Sequence, residues 1–558
     1  MPDYSTVEAT TYDLIVIGGG INGVAVARDG ALRGLKTILI EKSDFGSGTT
    51  SWSSRLVHGG LRYLEYFEFN LVRESLRERE ILLRTAPHLV KPIQMTIPIY
   101  AQGSRSYWEI QAGMVLYDLL SYDKSLPNHR MLGATKMRQL FRAVEPDGCR
   151  GAAQYYDGQV EYAERLCLEA VLSAQDAGAT MLSYVTVTQL QRSGNRIASL
   201  VCRDVETGEP IVVRGHEQTV VINTSGPWVD QICRSGVQGN APAPVGKTRK
   251  IGGTRGSHIN VDKFPGAPDE ALYVEALTDG RPFFILPWLG MCLIGTTDIR
   301  FDGDLDKVHA SNDEIDYLLN ETNRVIPTAQ LTRELVKFTY AGVRPLPYSE
   351  GKKTSSITRS HVLYDHTAES VENMVSLIGG KLTTHRQVGE EMVDAALKKQ
   401  GKPRSHSATR QAPLPGAIAT REAKDLMTTA DRDVVAHLLS VYGARTPQVL
   451  AIVKEFPELV EPVVAGQPDI KAQIVYSVNA ELARTYVDIC RRRTALSMRG
   501  NYGFDALPVV ADVLKRYCNW SDERCDRNLL NYYTFMRDNC IPEYQLDQYQ
   551  PPVAASVA

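Results

Sequence analysis

At 558 residues the chain is too long for one ordinary domain, and its 43% hydrophobic and 23% charged composition excludes a disordered or fibrous protein. With 62 Lys plus Arg against 65 Asp plus Glu, the formal charge of −3 argues against a nucleic-acid partner, which would demand a basic surplus. Nine cysteines, none in a Cys-x-x-Cys pair, argue against zinc ribbons and cysteine-ligated clusters, so no metal site is expected, and their low density fits a reducing compartment.

Residues 1–12 lack the basic start and apolar core of a signal peptide. No apolar run reaches about 18 residues; 283–295 comes nearest but is interrupted by Pro287 and Gly290. A membrane-spanning segment is therefore not expected, whereas lying on a membrane surface stays open.

Residues 12–17 (YDLIVI) read as a buried parallel strand. Gly18-Gly19-Gly20-Ile21-Asn22-Gly23 follows at once, then an Ala-rich helical stretch to 33, then a second strand at 36–40 ending in Glu41. Glycines 18, 20 and 23 fit the G-x-G-x-x-G pattern, which serves a tight turn, close approach of a pyrophosphate and helix–strand packing. Free N–H groups and the positive end of the helix dipole hold the pyrophosphate, and Glu41 stands where a carboxylate accepts from the adenosine ribose. Strand, glycine turn, helix, strand and acid together predict dinucleotide binding.

An NAD enzyme would continue through further strand–helix units. Here residues 46–54 (GSGTTSWSS) are small and hydroxyl-rich, and run into Arg55-Leu56-Val57-His58-Gly59-Gly60. Such a segment suits either a bulky cofactor or a surface loop. Residues 183–190, 196–203 and 211–214 alternate like an antiparallel meander, and 283–287 and 291–295 read as strands joined at Leu289-Gly290. A strand at 220–223 delivers Thr224-Ser225-Gly226-Pro227-Trp228. Another, at 373–378, ends in Gly379-Gly380-Lys381-Leu382-Thr383-Thr384 and a helix to about 399, with Thr383 or Thr384 near its start. A second glycine turn opening a helix suits the negative charge that a flavin gains on reduction. Three such turns spread along the chain imply a flavin domain assembled discontinuously around an insertion. Beyond a Pro-bearing linker at 403–415 the pattern turns helical, at 431–442, 447–455, 469–488 and 506–518. Arg491-Arg492-Arg493 suits a helix C-terminus, acidic partners or anionic lipid, with capping preferred. Residues 107–122 (YWEIQAGMVLYDLLSY) suit an interfacial helix or, preferred, one packed internally on all sides, and 551–558 are expected to be disordered.

Eight motifs in order carry a resemblance: IGGGINGVAVARDGALRGL (17–35), SSRLVHGGLRYLE (53–65), TSGPW (224–228), RGSHI (255–259), IGTTD (294–298), AGVRP (341–345), SSITRSH (355–361) and GGKLTTHR (379–386). With them the sequence resembles the membrane-associated, quinone-linked FAD-dependent glycerol-3-phosphate dehydrogenases. It departs at Ala25, where that family usually has glycine, and at His385, where tyrosine is common.

The resemblance implies an α/β protein with a discontinuous Rossmann-type FAD-binding domain (1–60, 150–246 and 344–400), an inserted mixed α+β substrate-binding cap (61–149 and 247–343) and an all-α C-terminal domain (404–550). It implies oxidation of sn-glycerol 3-phosphate to dihydroxyacetone phosphate, with hydride passing from carbon 2 to FAD. Arg344 and Arg359 become the phosphate clamp, since a dianion calls for guanidinium forks, and Arg55 adds positive charge nearby. His258 is the first choice for general base and His58 the second, with Lys381 donating to the substrate oxygen or the flavin edge. The cofactor contacts implied are Gly18, Gly19, Gly20, Asn22, Gly23, Glu41, Lys42, Thr49, Thr50, Ser51, Ser54, His58, Gly59, Gly60, Val187, Ser225, Gly226, Trp228, Gly380, Lys381, Leu382 and Thr383. No second redox centre is evident, so membrane quinone is the implied acceptor, reached from the cytoplasmic face by a peripheral enzyme. Oligomeric state stays open, a homodimer included. The rival readings are a glycerol-3-phosphate oxidase using oxygen, an amine or amino-acid oxidase, and a non-catalytic flavin-binding scaffold; the paired arginines argue against the second.

Overall fold

The structure, a computed structural model, describes residues 4–235, 248–351, 357–418 and 432–549. The tail at 551–558 and the first two residues of the SSITRSH motif lie outside the described residues. Two sheets and a helical C-terminal region make up the α/β fold expected.

The first sheet is built on Thr11–Ile17, which pairs in parallel with Thr37–Ile40 on one side and with the end of Pro210–Asn223 on the other. Met374–Ile378 adds a further parallel strand. These strands are covered on both faces, which is why their sequences are unbroken apolar runs. Register aligns Ile17 with Ile40 and Asn223, so four strand ends, each followed by a functional turn, open on one edge. The predicted meander, Val185–Ser193, Arg196–Asp204 and Pro210–Asn223, extends this sheet through antiparallel pairs. Helices Ile21–Leu32 and His385–Lys399 pack together where Gly389 meets Ala25; a Cβ at 389 would lie 2.7 Å from the Ala25 backbone. The methyl of Ala25 is thus accommodated by the glycine opposite.

The second sheet brings the candidate catalytic strands together. Thr254–Asp262 runs antiparallel to Val336–Arg344, placing His258 beside Tyr340 and Thr254 beside Arg344. The hairpin of Pro282–Trp288 and Met291–Gly295 turns at Leu289 (φ +49°) and Gly290 (φ +77°), both in the left-handed region that a tight two-residue turn needs. Cys149–Val160 pairs here with Val90–Tyr100 and Leu56–Val57. Residues 150–160 and 56–57, expected with the cofactor domain, therefore belong by pairing to the second sheet.

The C-terminal helices are Arg432–Tyr442, Thr446–Glu455, Lys471–Asn479, Leu507–Cys518 and Asp522–Asn539. The helix expected at 469–488 ends at Asn479, and the arginine triplet follows in a short π-helical turn, Asp488–Arg493. Capping is not its role. Arg492 Nε donates to Asp44 at 2.6 Å, and Arg493 donates to both Asp44 oxygens at 2.6 and 2.9 Å, all within the interior. Burial pushes the Asp44 carboxyl up, and Arg493 and Arg492 outweigh it, so its pKa is lowered on balance. Asp44→Asn would leave two buried cations under-compensated, and a loss of about 3–5 kcal/mol is expected, read as a lower denaturant midpoint.

The helix over 107–122 also differs from its preferred reading. In Tyr107–Leu120 only Met114 and Tyr117 are buried, while Trp108 is 74% and Leu119 65% exposed.

Candidate active site

The Gly18 backbone sits at φ +102°, and a Cβ there would come 2.7 Å from Ser225 Cα. A Cβ on Gly23 would lie 1.8 Å from the Gly18 carbonyl oxygen. Gly20 is different: a Cβ there would meet only Thr50 Oγ1 at 3.6 Å, which leaves the helix start open to a ligand. Ile21 N–H donates to Thr50 Oγ1 at 3.0 Å. Glu41 accepts from Gly19 N–H at 2.6 Å and Ser43 N–H at 2.9 Å, and burial pushes its carboxyl up.

These groups open onto a cavity of about 960 Å³. Gly18, Gly20, Asn22 and Glu41 form one wall; Lys42, Thr49, Thr50 and Ser54 follow, with Lys42 Nζ 4.3 Å above the Trp228 ring. Val187, Ser225, Gly226 and Trp228 close another side. Gly380, Lys381, Leu382 and Thr383 complete it, with Gly379 and Gly380 both at positive φ. A Cβ on Gly380 would lie 2.7 Å from Asn22 Nδ2, so the two glycine turns meet. Asn22 Oδ1, Trp228 Nε1 and Lys381 Nζ are buried without a hydrogen-bond partner among the described residues. A glycine-lined helix start, a ribose-type carboxylate and unsatisfied polar atoms around one elongated space fit a dinucleotide such as FAD.

A second cavity of about 610 Å³ adjoins the first and shares Ser54, His58, Tyr63, Phe284, Arg344 and Arg359 with it. Its own walls carry Gly60, Arg62 and Arg281. Arg344 and Arg359 reach opposite oxygens of Asp298, at 3.1 and 3.0 Å. Burial pushes the Asp298 carboxyl up, but Arg344 and Arg359 outweigh it and hold it ionised. So cationic a pocket suits a phosphate dianion.

His258 Nε2 lies 2.8 Å from Ser54 Oγ, its ring stacks on Tyr340 at 4.7 Å, and its Nδ1 is buried without a hydrogen-bond partner among the described residues. Burial, then Arg344 and Arg55, push its pKa well below the usual value, so the imidazole is neutral. The His58 imidazole pKa is likewise lowered by burial, and the His58 backbone N–H donates to Thr383 Oγ1 at 3.1 Å. Lys381 Nζ lies 4.0 Å above the Tyr63 ring, and burial brings it down to about 7.

Some expected contacts are corrected. Arg55 lines neither cavity: it is fully buried, bound to Glu164 at 2.8 Å and to the Ser51 carbonyl at 2.9 Å, beneath the Trp288 ring. Ser51 turns its hydroxyl to the Gly46 carbonyl at 2.6 Å. Gly59 packs behind the site, where a Cβ would meet Tyr117 Oη at 2.3 Å. Gly19 and Gly23 shape the turn without facing the cavity, and Gly60 (φ +74°) faces the second cavity. His385 is buried against the Leu382 carbonyl at 2.7 Å and outside both cavity walls. Sequence reading missed Arg62, Tyr63 and Asp298, although all three stand inside motifs already quoted. It also missed Asn531, Phe535 and Asn539, which the last long helix brings to the large cavity and which no local pattern marks.

Residues 13–394 match the family model described as FAD dependent oxidoreductase, and 407–525 match the C-terminal domain of alpha-glycerophosphate oxidase. The class that fold and site define is thus a flavin-dependent oxidoreductase, with FAD as its cofactor. The chain belongs, within that class, to the FAD-dependent glycerol-3-phosphate dehydrogenase family. It is 59% identical over 553 residues to the glycerol-3-phosphate dehydrogenase of Synechocystis sp., covering 98% of this chain and all of that one. It is 37% identical over 504 residues to the D-erythritol 1-phosphate dehydrogenase of Brucella abortus, across 87% of this chain and 95% of that one. The solved glycerol-3-phosphate dehydrogenase of Bacillus halodurans, complexed with FAD, superposes with a TM-score of 0.77 at 25% identity over 96% of both chains.

Proposed function

We propose that the protein oxidises sn-glycerol 3-phosphate to dihydroxyacetone phosphate. The observation that carries this reading is the pair Arg344 and Arg359, standing where the polar second cavity opens into the dinucleotide cavity. FAD, when bound, would supply the acceptor for the hydride of carbon 2. The residues supply the rest. Arg344 and Arg359 take the phosphate, with Arg62 and Arg281 adding charge from the same cavity, in the role first expected of Arg55. With the phosphate fixed there, the substrate's carbon chain points past Ser54 and His58 toward the larger cavity.

The hydroxyl proton goes to Lys381 in this reading rather than to His258. A base is most effective when its pKa lies near the working pH, and Lys381 is brought to about 7, its amine without a hydrogen-bond partner among the described residues. His258 resists protonation beside Arg344 and Arg55, and serves as a neutral hydrogen-bonding group held by Ser54. The sign of the pH response separates the roles. A base must be unprotonated, so kcat should rise as pH climbs through about 7 and level off above it. Lys381→Met should remove that limb and cost roughly 100-fold or more in kcat. A fall in kcat above that pH would instead make Lys381 a cationic donor.

Membrane quinone is the proposed electron acceptor. Tyr66 and Phe67 lie on the second cavity's wall, Phe67 is 78% exposed, and Trp108 and Tyr122 are 74% and 79% exposed. Such exposed apolar side chains favour docking on a membrane surface, and the resemblance implies the cytoplasmic face. No helix of the described residues is long and apolar enough to cross one. The domain division proposed earlier is kept, with 56–57 and 150–160 moved to the cap.

A further inference from the structure

A proton drawn from the substrate inside a closed site must leave before the next turnover. Lys381 is buried, and its amine has no hydrogen-bond partner among the described residues. Among the acids around it Glu74 acts most strongly, followed by Glu68, with Arg359 opposing them. Glu74 lies on the helix Phe69–Thr85; its Oε1 is buried without a hydrogen-bond partner among the described residues and stands 3.9 Å from His361 Nδ1. The other ring nitrogen of His361, Nε2, is 2.7 Å from Glu391 Oε2. Glu391 belongs to the helix His385–Lys399, and its side chain is 37% exposed, against 10% for His361 and 18% for Glu74.

These groups come from three separate elements and line neither cavity. They converge because residues 360–361 run beside the second glycine turn, where a Cβ on Gly379 would lie 3.4 Å from His361 Cα. An arrangement that served packing alone would pair the Glu74 oxygen, whereas here it is left 3.9 Å from His361 Nδ1. We propose that Glu74, His361 and Glu391 form the path by which the substrate proton leaves Lys381 for solvent.

This rests on Lys381 as the proton acceptor. A bridging water takes the proton from the Lys381 ammonium, which lies beyond ion-pair reach of Glu74, to the Glu74 carboxylate; Glu74 turns and passes it to His361 Nδ1, 3.9 Å away. His361 releases the proton on Nε2 to Glu391, and Glu391 gives it to water; no electrons move. The charged groups facing His361 are Glu391, Glu74 and Lys381, and those facing Glu74 are His361, Glu391, Lys381 and Glu78. Arg77 and Gln387 lie against Glu391. Burial pushes Glu74 up, toward a proton-holding carboxyl. For His361 burial acts downward, and Glu391 and Glu74 outweigh it. Both directions favour the protonated form, so each group can hold the proton it is passed.

The test uses the FAD-loaded enzyme carrying His361→Gly, with Glu391→Gln as a second variant should the first fail to fold. FAD content and the single-turnover rate of flavin reduction should match the unaltered enzyme, because the first proton needs no exit. Steady-state kcat should fall about tenfold or more with KM unchanged, and added imidazole should restore it in His361→Gly. For Glu391→Gln, raising the buffer concentration should restore kcat. A kcat that stays at the unaltered level, or a loss that neither imidazole nor buffer relieves, would overturn the path. Failure of the Lys381 assignment shows separately, as a single-turnover rate that Lys381→Met leaves unchanged.

Discussion

Gly23→Ala is expected to yield a colourless protein, with affinity for FAD reduced at least 100-fold. The added methyl would lie 1.8 Å from the Gly18 carbonyl oxygen and 2.6 Å from Thr224 Oγ1. Neither neighbour can yield cheaply. Gly18 N–H is bonded to the Ile40 carbonyl at 2.9 Å, and Thr224 N–H to the Ile17 carbonyl at 2.8 Å, so both are stitched into the parallel core. Relief must come from lifting the helix Ile21–Leu32 off the strand that feeds it, which withdraws the open helix start from the cavity. Gly113→Ala is the matched control: it has open space around it on an exposed helix, where alanine is favoured by up to about 1 kcal/mol. The ratio of flavin to protein absorbance reads both variants, and a fully yellow Gly23→Ala would contradict the packing argument.

The second large effect is expected at Arg344. Arg344→Met should keep FAD but lower kcat/KM for sn-glycerol 3-phosphate roughly 100- to 1000-fold, since leaving one member of a buried charged contact unpaired costs about 3–5 kcal/mol. Lysine at 344 should recover only part, because a point charge cannot grip two phosphate oxygens as a guanidinium does. Glycerol, which carries no phosphate, should be oxidised equally slowly by both enzymes. That comparison separates a phosphate contact from the structural part Arg344 plays with Asp298, which would depress both substrates alike.

What the sequence shows of this site depends on range. The first turn was legible because strand, glycines, helix and Glu41 stand within one short stretch whose geometry is fixed locally. The same holds for the turn at 379–384 and for the Leu289-Gly290 hairpin. Arg55 was misplaced because an arginine's role depends on which acid the fold delivers, and Glu164 arrives on the distant helix Ala163–Asp176. The triplet at 491–493 was read as a cap for the same reason: its partner Asp44 lies 448 residues from Arg492. Tyr107–Leu120 has an apolar surface on nearly every side, so its sequence does not mark which side meets the protein. The C-terminal helix Asp522–Asn539 reaches the cavity with two asparagines and a phenylalanine, residue types that carry no signal of their own.

The measurement closest to the central claim is anaerobic addition of sn-glycerol 3-phosphate to the purified holoenzyme, followed at the flavin absorbance band. The account predicts rapid, stoichiometric bleaching, faster than with erythritol 1-phosphate, and recovery on adding a quinone analogue but only slowly in air. Rapid recovery in air with one peroxide per flavin would replace the quinone by oxygen and leave the substrate assignment standing. A flavin that stays oxidised in the presence of sn-glycerol 3-phosphate would contradict the roles given to Arg344, Arg359 and Lys381.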